Sequence, residues 1–222
     1  MIPTPLDAVV FDMDGLLLDT EALYRTAIFA ACASQGHAMV DHVHLSLIGA
    51  PEEVGDAKLM GHFGAGFDLG LYHATSAAHF DALCGLGAPL RPGAREIVAF
   101  LKSQGVPLGV ATSTARGRAE ARLAKAGLLE ALDVLVTRSD VTQGKPHPES
   151  YLKAAAALGA RPSHCLALED SHNGVRSAAA AGMATIMIPD LLPATEEIAA
   201  LCAGVLPSLL DVLEALRSQI CS

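Results

Sequence analysis

Two aspartates, Asp12 and Asp14, flank a single methionine directly after the apolar run Ala8-Val9-Val10-Phe11, and Gly15 follows them. Carboxylates this close repel unless a cation lies between them. A hard divalent ion such as Mg2+ meets that need, taking one or two carboxylates, several waters and a substrate phosphate. The same residues also suit a turn whose aspartates cap the next helix. Three more clusters lie further along: the hydroxyls Thr112, Ser113 and Thr114, then Lys145 within Gly-Lys-Pro, then Glu169 with Asp170. Carboxylates for a metal ion, an ammonium for a phosphate, and hydroxyls with backbone N–H groups for phosphate oxygens make a phosphoryl-transfer inventory. Each piece alone has a plainer reading: Thr112 as a cap, Lys145 as a solvated side chain, Glu169 and Asp170 as acids favoured at a helix start. Together they carry weight only if one fold brings them to one place.

The elements that must do so follow from apolar patterning. Ala8 to Phe11 is short, β-branched and uniformly apolar, which suits a central parallel strand buried on both faces. Asp19 and Thr20 offer side-chain caps for a helix from Glu21 to about Ser34, with Leu23, Ala27 and Ala30 on its buried stripe and Gly36 ending it. Ala94, Ile97, Val98 and Leu101 recur at helical spacing until Gly105. Strands are expected at 106–111, 132–136, 165–168 and 183–188, with helices at 115–126 and from Tyr151 to Gly159 with Tyr151, Leu152, Ala155 and Leu158 inward. A further helix opens at 171–174, and the stretch from Thr195 to Ile220 reads as two short helical pieces. Alternating strands and helices at this spacing give a parallel sheet covered on both faces, with right-handed crossovers. The chemically capable residues then stand at strand carboxyl ends, where open α/β sheets bind ligands.

Between about Thr20 and Pro89 the pattern changes to short amphipathic pieces rich in His and Gly, which reads as a separate helical insert. Gly64, Gly66 and Gly70 there are loop punctuation, since no strand precedes them as a dinucleotide loop requires. His42 and His44, two apart, would share one face of a strand and are expected at the surface. With 15 basic against 24 acidic residues and a net charge of −9, no basic run tracks a phosphate backbone, which argues against nucleic acid. No stretch is long and apolar enough to span a membrane, and no export signal is visible, so a cytoplasmic protein without membrane attachment is expected. Five cysteines without a Cys-x-x-Cys pair suggest free thiols in a reducing compartment.

The four clusters, in this order and spacing over about residues 7–190, resemble the motifs of the haloacid dehalogenase superfamily. The string Asp12-Met13-Asp14-Gly15-Leu16-Leu17-Leu18-Asp19-Thr20-Glu21 is similar to its β-phosphoglucomutase-like phosphatase branch. The resemblance implies an α/β fold, a Rossmann-like parallel sheet flanked by helices formed by residues 1–19 and 90–222, with residues 20–89 as an inserted α-helical cap that closes over the site. It implies Asp12 as nucleophile, forming an aspartyl phosphate, and Asp14 as the acid that protonates the leaving oxygen and then activates water. By the same resemblance Thr112 and Lys145 are catalytic, and Met13, Asp14, Thr112, Ser113 and Lys145 bind substrate. Asp12, Asp14, Glu169 and Asp170 hold Mg2+, Asp170 directly, Glu169 directly or through water, and Asp14 through its carbonyl.

One departure bears on the substrate. Mutases of this branch have a His soon after the first motif and an Arg in a cap loop. Here Asp19-Thr20-Glu21-Ala22-Leu23-Tyr24 has no His, and Gly49-Ala50-Pro51-Glu52-Glu53 has acids where the Arg would stand. Acids there would oppose a second phosphate on the ligand. The sequence therefore points to a phosphatase of a small phosphorylated metabolite, a sugar phosphate or nucleoside monophosphate, acting as a monomer with a dimer as the alternative. A phosphomutase and a non-catalytic phosphate-binding module are the competing readings, and Asp14 argues against a dehalogenase.

Overall fold

The computed structural model describes residues 2–48 and 52–220. Gly49-Ala50-Pro51 of the expected cap loop and Cys221 therefore lie outside the described residues. The chain divides into two compact units, Met1–Asp19 with Pro89–Ser222, and Thr20–Ala88.

The larger unit is built on a six-stranded sheet of β1 (Ala8–Phe11), β2 (Leu108–Ala111), β3 (Val134–Val136), β4 (Cys165–Glu169), β5 (Ala184–Met187) and β6 (Gly204–Val205). Their spatial order is β3-β2-β1-β4-β5-β6, and every pairing is parallel. All four residues of β1 are fully buried, as a central strand covered on both faces requires. The chain passes from β1 outward through β2 and β3, then returns to place β4 on the other side of β1. The order thus reverses between β1 and β4, and the crevice of a doubly wound sheet opens beyond the carboxyl ends of those two strands. Register finishes the placement: Phe11 lies opposite Leu168, so Asp12 emerges level with Glu169.

The smaller unit contains the helices α1 (Glu21–Ser34), α2 (Asp41–Leu47), α3 (Glu52–Phe63) and α4 (Leu69–Leu86). Its core joins Ile28, Ala31 and Cys32 of α1 to Val43, Leu59, Phe67 and Tyr72. The sheet of the larger unit is flanked by α5 (Ala94–Ser103), α6 (Arg116–Lys125), α7 (Glu149–Ala157), α8 (His172–Ala180), α9 (Glu196–Leu201) and α10 (Leu209–Ile220). Among the described residues no helix is long and apolar enough to cross a membrane.

Several local expectations need correction. The Thr20 side chain makes no cap hydrogen bond to α1, because Thr20 already has helical backbone angles. The buried stripe of α1 is Ala27, Ile28, Ala31 and Cys32, one residue round from the expected one. His42 and His44 stand on a helix, and His44 is buried with its ring edge-on to Phe29. Leu152 of α7 is 42% exposed, while Ser150, Tyr151, Ala154 and Ala155 face inward. The second strand starts two residues later than expected, after Pro107, which has no N–H to give a ladder. The two-residue strand β6 was not expected at all, since Gly204 and Val205 are too few to show a period.

Candidate active site

The strand ends bring Asp12, Thr112, Lys145, Glu169 and Asp170 of the larger unit together. Lys145 is the centre: its Nζ donates to Asp12 Oδ1 at 2.5 Å and to Glu169 Oε1 at 2.5 Å. Tyr151 of α7 adds a buried hydroxyl, donating to Glu169 Oε1 at 2.7 Å and standing 3.4 Å from the Lys145 ammonium. The other Glu169 oxygen accepts from the backbone N–H groups of Asp170 and Ser171 and from the Ser171 hydroxyl. Both oxygens of Glu169 are thus occupied by protein donors, in a side chain with no solvent exposure.

The loop carrying Lys145 is fixed from the helix it leads into. Glu149, in the first turn of α7, accepts from the N–H groups of Thr142 and Gln143. With Lys153 one turn on, these bonds hold the Glu149 carboxyl down to about 2.

Two glycines mark where side chains crowd. A Cβ on Gly174, in the first turn of α8, would lie 1.8 Å from Glu169 Oε1, so only glycine leaves room for that carboxylate. Gly15 has φ +86°, and a Cβ there would lie 2.2 Å from Asp170 Oδ2. That turn is tied by Met13, whose carbonyl accepts from both Leu17 and Leu18.

The Asp14 carboxylate is held by a second set of donors, near enough to Asp12 for its charge to be felt there. Its Oδ2 accepts from the Thr114 hydroxyl at 2.6 Å and its Oδ1 from the Arg122 guanidinium at 3.1 Å. Thr112 is buried, and its Oγ1 accepts from the Thr114 N–H, which leaves its own O–H to donate elsewhere. Met13 is fully buried, whereas Ser113 is exposed.

Electrostatics set the demand on this site. Burial pushes the Asp12 carboxyl up to about 7, the Lys145 ammonium opposing and the Glu169 and Asp14 carboxylates adding to the rise. Burial alone would depress Lys145, but Asp12 and Glu169 overcome it and hold the ammonium above its ordinary value. Asp170 is raised by burial first, then by the nearby carboxylates of Asp12 and Glu169. Although Asp170 as a residue is only half-buried, its Oδ1 is enclosed and has no hydrogen-bond partner. A buried orphan carboxylate oxygen beside a second carboxylate is costly in protein alone and suited to a cation. No group of three or more His, Cys, Asp or Glu among the described residues forms a metal cage. A Mg2+ site that relies on two carboxylates, waters and substrate needs no such cage.

Tyr151 and Arg122 were not legible as site residues, and Thr114 stood only as one of three hydroxyls after the second strand. Tyr151 reads only as an inward residue of α7, yet a buried phenol needs a partner, and it is the second residue after Glu149 in the helix that follows the Lys145 loop.

Comparison with known proteins places the chain in a family. A family model described as haloacid dehalogenase-like hydrolase matches residues 6–182. The chain is 35% identical over 185 residues to the phosphorylated carbohydrates phosphatase of Thermotoga maritima, covering 82% of this chain and 84% of that protein. It is 34% identical over 203 residues to hexitol phosphatase B of Escherichia coli, covering 84% and 85% respectively. Among solved structures, a putative β-phosphoglucomutase from Thermotoga maritima superposes with a TM-score of 0.83 at 30% identity, covering 96% of this chain and 99% of that one. The chain belongs to the haloacid dehalogenase-like hydrolase family.

Proposed function

We propose that this hydrolase is a Mg2+-dependent phosphatase that cleaves the monoester of a small phosphorylated metabolite, a sugar phosphate or a nucleoside monophosphate, through an aspartyl phosphate on Asp12. The observation that carries the reading is the ammonium of Lys145 shared by two buried carboxylates beside the partnerless oxygen of Asp170. The names of the phosphatase relatives support the reaction class.

Asp12 and Asp170, with the backbone carbonyl of Asp14, are the groups that would hold the ion. When bound, Mg2+ supplies positive charge that lessens repulsion between Asp12 and an incoming phosphate. Glu169 is better suited to holding Lys145 than to direct ligation, because protein donors occupy both its oxygens. Asp12 attacks phosphorus as the bond to the leaving oxygen breaks, and Asp14 gives that oxygen its proton. Asp14 then takes a proton from water as the water oxygen bonds phosphorus and the Asp12–phosphorus bond breaks, releasing phosphate and restoring both carboxyl groups. Thr112 donates its hydroxyl to the transferring group, and Lys145 neutralises charge on Asp12 and the phosphoryl oxygens. Met13 and Ser113 contribute backbone N–H groups, which suits the buried side chain of one and the outward side chain of the other.

Phosphate release from a panel of sugar phosphates and nucleoside monophosphates, with Mg2+ and with EDTA, tests this reading. The expected result is release from at least one class that needs Mg2+ and falls to background in EDTA. Isomerisation of a sugar phosphate without release, seen once a sugar bisphosphate is added, would overturn it in favour of a mutase.

A further inference from the structure

We propose that Arg122, acting with Thr114, is a positioning residue that fixes the carboxylate of Asp14 for proton transfer. The inference rests on the acid–base role of Asp14 given above. Arg122 lies on the inward face of α6 with Ala119 and Leu123, and it is only 6% exposed. An arginine on a buried helix face is uncommon, and such a charge calls for a partner. One partner here is Asp14, 108 residues earlier in the chain: NH1 donates to Oδ1 at 3.1 Å. Thr114, just before α6, donates to the other oxygen, Oδ2, at 2.6 Å. Thr114 is itself placed by its backbone N–H, which donates to Thr112 Oγ1 at 3.0 Å.

Each Asp14 oxygen therefore has its own donor, one from Thr114 just before α6 and one from Arg122 in the last turn of that helix. The carboxylate torsion of an aspartate is otherwise broad, so two separate anchors fix a group that its rotamer alone would leave loose. Proton transfer depends on heavy-atom reach of roughly 2.6–3.2 Å, so a carboxylate that turns away loses rate without losing substrate binding. A lysine reproduces this anchor only in part, because the planar guanidinium has its donors in a rigid fork and the ammonium is a point charge on a flexible stem.

A purely structural role, tying α6 to the loop after β1, would slow all substrates alike. A positioning role would slow only the steps that need Asp14 to move a proton. Two esters of similar size separate these cases: benzyl phosphate, whose alkoxide needs a proton on leaving, and p-nitrophenyl phosphate, whose phenolate does not. The experiment is kcat/KM on both esters, with Mg2+, for the wild type, Arg122→Met, Arg122→Lys, Asp14→Asn and the double variant Asp14→Asn with Arg122→Met. Arg122→Met is expected to lose about tenfold more on benzyl phosphate than on p-nitrophenyl phosphate, a size set by the cost of misplacing a catalytic group. Within the Asp14→Asn background the same change is expected to add no further selectivity, since residues acting as a unit are non-additive. Arg122→Lys should show the same selectivity at smaller size, and it serves as the readout if the methionine variant does not fold. Equal losses on both esters, or full additivity in the double variant, would overturn the proposal. Absence of selectivity in Asp14→Asn alone would instead remove the acid–base role of Asp14, and the proposal with it.

Discussion

Replacing Asp12 with asparagine is expected to lower phosphate release by more than about a thousandfold while leaving the fold intact. The amide nearly matches the carboxylate in shape but is a poor nucleophile, and it brings no charge to a cation. The effect on stability is expected to run the other way. Asp12 and Glu169 share one ammonium, that of Lys145, with the half-buried Asp170 adding a third acid nearby. Removing the Asp12 charge relieves that crowding, and Lys145 keeps Glu169 as its partner. In EDTA the variant should therefore melt no lower than the wild type. Thermal unfolding beside a phosphate-release assay checks both halves; retained turnover would remove Asp12 from its role.

Replacing Lys145 with methionine is expected to cost activity and stability together. The side chain is 6% exposed, and its ammonium lies 2.5 Å from one oxygen of each of two buried carboxylates. Methionine fills the same volume but leaves Asp12 and Glu169 without their cation. Removing one partner of a buried ion pair costs about 3 to 5 kcal/mol, because the remaining charge is left uncompensated. The rate should fall about 100- to 1,000-fold, the usual effect of losing one donor aimed at developing charge. Denaturant unfolding in EDTA measures the first effect and kcat the second. Added Mg2+ should restore part of the stability, because an ion that binds only the folded state stabilises it by mass action. A variant as stable as the wild type in EDTA would mean that the Lys145 contacts contribute little.

The opposite stability effects of two inactivating changes follow from packing, which sequence patterning reaches only in part. Strand β1, the turn at Gly15 and the carboxyl ends of β2, β3 and β4 could be read to within a residue, because each strand is a short apolar run that stops at a polar residue. Helix α5 was legible to the residue, its four inward positions being the ones that repeat every three or four residues. What stayed hidden has two physical causes. Strand starts depend on partner register and on residues such as Pro107, so ends facing away from the site were less well defined. Contacts between residues far apart in the chain, such as Arg122 with Asp14 and Tyr151 with Glu169, leave no local period. In the smaller unit, His44 reads as a surface histidine because its burial comes from Phe29 of another helix.

The most direct measurement of the central claim is mass spectrometry on the Asp14→Asn variant, quenched in acid after mixing with Mg2+ and p-nitrophenyl phosphate. The nitrophenolate leaves without help from an acid, while water activation is lost, so the phosphoenzyme should build up. The account predicts a burst of p-nitrophenol and a phosphoryl mass on the peptide that contains Asp12. A burst with the phosphoryl mass on any other residue, or with none on the Asp12 peptide, would contradict it.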